Sequence, residues 1–338
     1  MGRVWVVGVA WGSEGYEAAA VHADGRTRGP RGFPAHPEGV GRLLGYIREL
    51  GGDGALTVID PSNGVLEGAL HGAGLRVVRA RRTAGRGQDA LRLASGFHTE
   101  GAAPDPTPAD IAAQDAAIAA SAPYEQRLGG EGRWLARGPA GSRQIALTFD
   151  DGPHQPYTDQ VLDILGDYAV PATFFCVGLH ARALPGTIAR IQEAGHTVAN
   201  HTWSHPSLIR LPRDEVRHQL DATADALAAV TGERPTLMRP PYGDRSPDVL
   251  HWIAADGLTT VLWDTDTRDW SRPGTDTVTT RALSGATDGS VILMHDGGGD
   301  RTHTVEALPR IIDQLLADGY ALVTVDEMLR TGPGAQSA

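Results

Sequence analysis

Residues 141–338 alternate short apolar segments with longer segments of helical periodicity, and this rhythm constrains the fold more than any other feature of the chain. Short apolar runs suit buried strands, and the segments between them suit helices. Because a strand–helix–strand connection leaves its two strands parallel, the pattern predicts a parallel sheet and favours an irregular α/β barrel. The seven predicted strands are Ile145–Phe149, Ala172–Val177, Thr197–Ala199, Leu237–Arg239, Thr259–Leu262, Val291–Met294 and Ala321–Val325.

Polar residues follow several of these strands, at the end of the barrel where active residues lie. Asp150 and Asp151 close the first strand, and their side chains point in different directions because successive strand residues alternate. Two neighbouring carboxylates repel each other unless a cation or an arginine lies nearby. The simpler alternative is a turn that carries two surface acids.

Two histidines, His201 and His205, follow the third strand. Side chains four residues apart share one face of a helical turn, so both imidazoles can bind one metal ion. With an aspartate they provide three protein ligands, whereas a structural zinc site is closed by four, so the set indicates a catalytic metal. Histidines at this spacing also occur in ordinary polar loops.

Arg239 and His295 stand at two further strand ends. The prolines after Arg239 lack backbone donors, which leaves the N–H of Tyr242 as the first donor for a developing oxyanion. Arg239 would hold Asp150 ionised. His295, paired with a carboxylate, would stay protonated and act as a general acid. A rigid turn and a capping histidine are the alternatives.

Taken in order, these segments resemble the motifs of the polysaccharide deacetylase family, also called the NodB-homology or carbohydrate esterase 4 family. The resemblance covers about 141–330, and no motif position departs from the pattern. The five motifs are Thr148–Gly152, His201–His205, Arg239–Tyr242, Asp266–Trp270 and Leu293–His295.

The resemblance implies a distorted (β/α)7 barrel and a metal-dependent hydrolase. The reaction would remove an N-acyl group, in particular N-acetyl, from an amino sugar or a related amide. Asp151, His201 and His205 would bind a divalent metal, Zn²⁺ first and Co²⁺ as an alternative. The partner would be an N-acylated amino sugar or a related small molecule.

The resemblance also implies the catalytic roles. Asp150 would be the base toward the attacking water, Arg239 would orient it, and the Tyr242 N–H would stabilise the oxyanion. His295 would protonate the leaving amine, with Asp269 tuning it. The implied substrate-binding residues are Trp270, Leu293 and Pro241.

Charge and cysteine content restrict the partners. Residues 101–338 carry 18 arginines against 31 acids, so no nucleic acid is expected at the barrel. The single cysteine, Cys176, excludes an intramolecular disulfide and a thiolate metal cluster. No apolar run approaches about 20 residues, so no membrane association is expected. Val4–Ala10 is interpreted as a buried strand and not a signal peptide, which predicts a cytoplasmic protein, or a secreted one if a leader has been removed.

The chain is predicted to consist of a small α/β domain (1–98), a linker (99–140) and the deacetylase domain (141–338). The first domain distantly resembles the RuvC/RNase H-like part of IS110-type transposases, but Val9 and Ala10 stand where that family has an aspartate. It is therefore expected to be a non-catalytic binding or scaffolding domain, with an unknown partner. The linker holds one predicted helix, 108–120, and a glycine-rich stretch without a pattern.

Several alternatives stay open from the sequence alone. An Fe(II) oxygenase also uses two histidines and a carboxylate, although the Asp150–Asp151 pair and His295 argue against it. The barrel could bind sugars without turnover, or the first domain could process nucleic acid. The substrate could also be a small natural-product intermediate or an O-acetyl ester.

Overall fold

The computed structural model describes residues 5–12, 15–22, 24–51, 55–59, 66, 69–70, 73–80, 90, 93–94 and 108–331. The chain divides into two compact units, Met1–Ala112 with Ser204–Pro206 and Ala113–Trp203 with Ser207–Ala338. Within the described ranges, no helix has both the length and the apolar character that crossing a bilayer requires.

The first unit contains a five-stranded sheet with the order β3-β2-β1-β4-β5. Its first three strands form an antiparallel meander, whereas β4 lies parallel to β1 and β5 parallel to β4. This arrangement confirms the predicted α/β domain. The elements are β1 (Trp5–Gly12), β2 (Gly15–His22), β3 (Thr27–Phe33), α1 (Pro37–Gly51), β4 (Leu56–Ile59) and β5 (Arg76–Arg79).

Strand β3 is not predicted from the sequence, because its glycines and Pro30 interrupt any apolar alternation. As an edge strand, β3 tolerates the proline. Val9 and Ala10 are buried core residues of β1. The likeness to RuvC domains stays a prediction.

The segment predicted as a linker contains regular structure from residue 108 onward. Its glycine-rich stretch has no sequence pattern, yet it forms a helix and a strand, because Leu128 and Leu135 are buried and the strand joins the sheet of the second unit. The elements are α2 (Pro108–Ala120), α3 (Ala122–Gly130) and β6 (Trp134–Leu135).

The second unit is built on a nine-stranded sheet whose described pairings are all parallel. The strands after β6 are β7 (Gln144–Asp150), β8 (Thr173–Cys176), β9 (Thr197–Asn200), β10 (Leu237–Met238), β11 (Thr259–Val261), β12 (Thr265–Asp266), β13 (Val291–His295) and β14 (Ala321–Leu322). They follow the order β12-β13-β7-β8-β9-β10-β11-β6, and β14 pairs with the start of β7. The predicted distorted (β/α)7 barrel is confirmed.

Helices cover the outside of this sheet because each buries one apolar stripe. The helix Thr302–Ala317, for example, repeats apolar residues at the helical period, and these residues are buried in the main core: Leu308, Ile311, Ile312 and Leu315. The helices are α4 (Tyr157–Asp167), α5 (Gly178–Ala183), α6 (Pro185–Glu193), α7 (Arg213–Thr231), α8 (Pro247–Ala255), α9 (Thr275–Gly285), α10 (Thr302–Ala317) and α11 (Val325–Arg330), with 3₁₀ turns at Leu208–Arg210, Pro241–Gly243 and Asp269–Ser271.

Strand β7 shows how the core positions polar groups. Ile145, Leu147 and Phe149 belong to the outer core that packs on the helices. The alternate residues Thr148 and Asp150 face the barrel interior, where both accept hydrogen bonds from one arginine. Because strand side chains alternate, one set of β7 residues packs in the core and the other places polar groups in the barrel interior.

Candidate active site

Asp150 and Arg239 form a fully buried ion pair at the end of β7. Arg239 has no exposed surface; its Nη1 donates to Asp150 Oδ1 at 2.6 Å and to Thr148 Oγ1 at 2.9 Å. Its remaining donors reach the carbonyl oxygens of Val261 and Leu262 at 3.3 and 3.1 Å. A buried charge is tolerated when it is paired and hydrogen-bonded, as here, so the Asp150 carboxylate has a fixed orientation.

Asp151, His201 and His205 converge at the same end of the barrel. Each offers a ligand atom, and these atoms all lie within 4.8 Å of one another. His201 Nδ1 lies 2.8 Å from the carbonyl oxygen of Arg239. Because a carbonyl only accepts, Nδ1 carries the proton, which leaves the lone pair of Nε2 for a metal. His201 Nε2 faces Asp151 Oδ1 at 3.5 Å. This donor set fits a zinc or cobalt ion.

The two histidines do not lie on a helical turn, so that expectation is wrong. Residues 201–207 form an irregular loop in which Thr202 and His205 have left-handed φ angles of 67° and 61°. The Thr202 N–H donates to Asn200 Oδ1 at 2.8 Å, an arrangement that competes with helix formation. The loop nevertheless brings both imidazoles to Asp151.

His295 is held as a cation by Asp269. It lies directly opposite Asp150 in the β13–β7 register. Its Nδ1 is 2.7 Å from Asp269 Oδ1, and its backbone N–H donates to Asp269 Oδ2 at 2.8 Å. Burial disfavours the charged imidazole, but the charge and hydrogen bond of Asp269, together with the charges of Asp151 and Asp150, outweigh it, so the pKa of His295 rises to about 9.

The Asp269 carboxylate is in turn fixed by several groups. Burial would raise its pKa, but the charge and hydrogen bond of His295, the Thr304 hydroxyl at 2.6 Å and the charge of Arg301 together lower it. Asp269 therefore stays ionised beside His295. The sequence did not single out Thr304, because nothing in its local pattern separates it from an ordinary helix residue.

Other groups near the site were also missed. Thr148 could have been found, because it precedes Asp150 by two residues and so shares its face of β7. His180 Nδ1 donates to the backbone oxygen of Asp151 at 2.9 Å from the start of α5, with no sequence signal. Burial and repulsion from Asp151 and Asp150 raise the pKa of Asp296 to about 7, although Thr158 donates to it at 2.6 Å.

The predicted substrate-binding residues differ in accessibility. Trp270 is 55% exposed, whereas Leu293 is buried within β13 and Pro241 is also buried. Tyr242 is 58% exposed and has a left-handed φ of 63° in its 3₁₀ turn. Hydrogen bonds from Gly243 and Asp244 close this turn. The open aromatic surface at this end of the barrel therefore comes from Trp270 and Tyr242.

Comparisons with known proteins place the chain in a family. The family model for polysaccharide deacetylase matches residues 137–261. The chain is 40% identical over 195 residues to a peptidoglycan-N-acetylglucosamine deacetylase of Bacillus cereus, covering 57% of this chain and 71% of that protein. It is 40% identical over 201 residues to a chitooligosaccharide deacetylase of Sinorhizobium fredii, covering 56% and 94%.

A solved structure shows the same fold. The crystal structure of the Bc1960 peptidoglycan N-acetylglucosamine deacetylase superposes with a TM-score of 0.59 at 37% identity, and the match covers 62% of this chain and 98% of that one. The resemblance seen in the five motifs is thereby confirmed. The chain belongs to the polysaccharide deacetylase family, the carbohydrate esterase 4 family of metal-dependent carbohydrate deacetylases.

Proposed function

We propose that this chain hydrolyses the N-acetyl group of N-acetylglucosamine residues within a glycan chain. The observation that carries the proposal is the pairing of Asp150 and His295 across neighbouring strands, beside the Asp151–His201–His205 group. The backbones of residues directly opposite on adjacent strands lie about 5 Å apart. Side chains that extend from them can therefore hold one scissile amide between a base and an acid.

Asp151, His201 and His205 would hold the metal, and we propose zinc, with cobalt as a functional substitute. Two imidazoles and one carboxylate are a typical ligand set for catalytic zinc, which keeps further positions open. A bound zinc ion supplies Lewis-acid polarisation of the scissile carbonyl and makes an attacking water more acidic.

The protein side chains would manage the protons. Asp150, oriented by Arg239, would accept a proton from the water that adds to the acetyl carbonyl. The Tyr242 N–H would donate to the oxygen that becomes negative. His295, charged through Asp269, would donate its proton to the amide nitrogen as the C–N bond breaks. The products are acetate and a free amino sugar.

The exposed aromatic surface supports a sugar substrate. Trp270 and Tyr242 each expose an aromatic ring at this end of the barrel, and such a ring fits the C–H face of a sugar. The acidic character of residues 101–338 disfavours polyanions but tolerates a neutral acetylated glycan and its cationic product. By their names, the relatives act on N-acetylglucosamine in peptidoglycan and on chitooligosaccharides.

Acetate release from a substrate panel tests the proposal. The protein is stripped of metal, reloaded with zinc or cobalt, and offered N-acetylglucosamine, chitooligosaccharides, peptidoglycan and acetylxylan. We expect metal-dependent release from the oligomeric amides, lost in His205→Ala and kept in His251→Ala, which alters an exposed histidine of α8. Release from acetylxylan alone would contradict amide hydrolysis, and release without metal would contradict the mechanism.

A further inference from the structure

The loop between β13 and α10 packs directly against Asp151. A Cβ atom added at Gly297 would lie 2.3 Å from the backbone oxygen of Asp151, and one added at Gly298 would lie 2.4 Å from its Oδ2. Gly298 also has a left-handed φ of 73°. Both positions therefore require glycine, and the glycine backbone forms one wall around the Asp151 carboxylate.

The same two loops contact each other a second time. A Cβ atom at Gly152 would lie 2.2 Å from the Asp296 carboxylate, so the backbone after Asp151 lies against the side chain that precedes Gly297. Asp151 itself has a left-handed φ of 75°. A non-glycine residue persists in this conformation only when its surroundings impose it.

Arg301 fixes the glycine loop from within. Its Nε donates to the carbonyl oxygen of Gly297 at 2.6 Å, its Nη2 to that of Gly298 at 3.0 Å, and its Nη1 to that of Asp300 at 3.2 Å. Arg301 is only 4% exposed. Within the described residues, the hydrogen bonds of its side chain all go to backbone carbonyls of its own loop, while its charge also lowers the pKa of Asp269.

This use of a buried arginine differs from that of Arg239. Burying a guanidinium is costly, and such groups usually gain a carboxylate partner in return. Arg239 has Asp150, whereas Arg301 directs all its hydrogen bonds at the backbone of its own loop. The arrangement rigidifies the loop that contacts Asp151.

We infer that Arg301 is a positioning residue for the metal ligand Asp151. By holding the carbonyls of Gly297 and Gly298, it keeps the glycine wall against the carboxylate and fixes one orientation of that ligand toward His201 and His205. This inference rests on the proposed metal site. Mutation of a group that orients a metal ligand typically lowers the metal affinity by about 10- to 100-fold.

Zinc affinity of the full chain, measured by competition with a chromogenic chelator, tests the inference. Arg301→Gln should weaken zinc binding by about 10- to 100-fold, and Arg301→Lys should recover part of it because lysine can still donate to one of the carbonyls. The control is Arg310→Gln, the same change at a half-exposed ion pair on α10, which should bind zinc as the wild type does.

A second variant tests the contact between the glycine loop and Asp151. Gly298→Ala keeps Arg301 but pushes on the Asp151 carboxylate, so it should weaken zinc binding as well, and the visible spectrum of its Co²⁺ form should shift. Melting of each metal-free variant reports folding separately. Wild-type zinc affinity in a folded Arg301→Gln variant would overturn the inference and leave the proposed function intact. Failure of the wild type to bind zinc would overturn both.

Discussion

His295 carries a charge that its burial alone would remove. The negative charge of the nearby Asp269 carboxylate acts against the effect of burial, and the pKa of His295 rises from 6.5 to about 9. Because the folded protein keeps this proton to a higher pH than the unfolded chain does, the pair stabilises the fold fully below about pH 6.5. That contribution is lost as the pH rises through about 9.

The stability of metal-free His295→Gln checks this sign. We expect the melting temperature of the wild type to exceed that of the variant most at pH 6. The difference should shrink toward pH 9. His251→Gln, at an exposed position of α8, serves as the matched control. A difference that stays constant from pH 6 to 9 would show that folding does not raise the pKa of His295.

Several of these residue contacts were predictable and others were not. The demand of paired carboxylates for a cation pointed to Arg239. Strand alternation does not separate Asp150 from Asp151, because Asp151 lies just after β7 with a left-handed φ of 75°. The bonds from His180 and Thr304 join residues far apart in the chain. No local pattern encodes such contacts, because they depend on how helices settle on the sheet.

At the scale of elements, the alternation of strand and helix segments in the sequence was sufficient to predict the barrel. The unpredicted strands of its sheet, β6 and β12, stand in no apolar run, because β6 follows a glycine-rich stretch and both residues of β12 are polar. The helical turn predicted at His201–His205 is wrong, although the sequence held a warning. Pro206 follows His205, and a residue before proline avoids the right-handed helical region.

Asn200 holds the histidine loop in place. It is fully buried, its Nδ2 donates to the Leu220 carbonyl at 2.9 Å, and its Oδ1 accepts from the Thr202 N–H at 2.8 Å. Removing the amide leaves both partners buried without a hydrogen bond. Each loss lowers the free energy of unfolding by about 1–3 kcal/mol.

Asn200→Ala should therefore lower the melting temperature of the metal-free protein and also weaken zinc binding, because the loop carries two of the ligands. Gln192→Ala, which removes a partly exposed amide bonded to the Thr231 carbonyl, is the control. Unchanged zinc affinity in Asn200→Ala would mean that the histidines hold their positions without this loop contact.

At the scale of the whole molecule, the site is assembled from segments distant in sequence. Asp150, Arg239 and His295 span more than 140 residues, and the parallel sheet brings them to one end because every strand runs the same way. Sequence order and strand polarity were thus enough to predict a common site. The role of the first unit stays a prediction, since its buried Val9 and Ala10 offer no catalytic group.

The most direct test of the central claim measures bound zinc and acetate release together in Asp150→Asn. Asp150 is the proposed base and not a metal ligand, so the variant should keep its zinc and lose about 10²- to 10⁴-fold in rate on a chitooligosaccharide. Asp248→Asn, at an exposed position of α8, should change neither quantity. Release at the wild-type rate by zinc-loaded Asp150→Asn would contradict the division of labour between base, acid and metal.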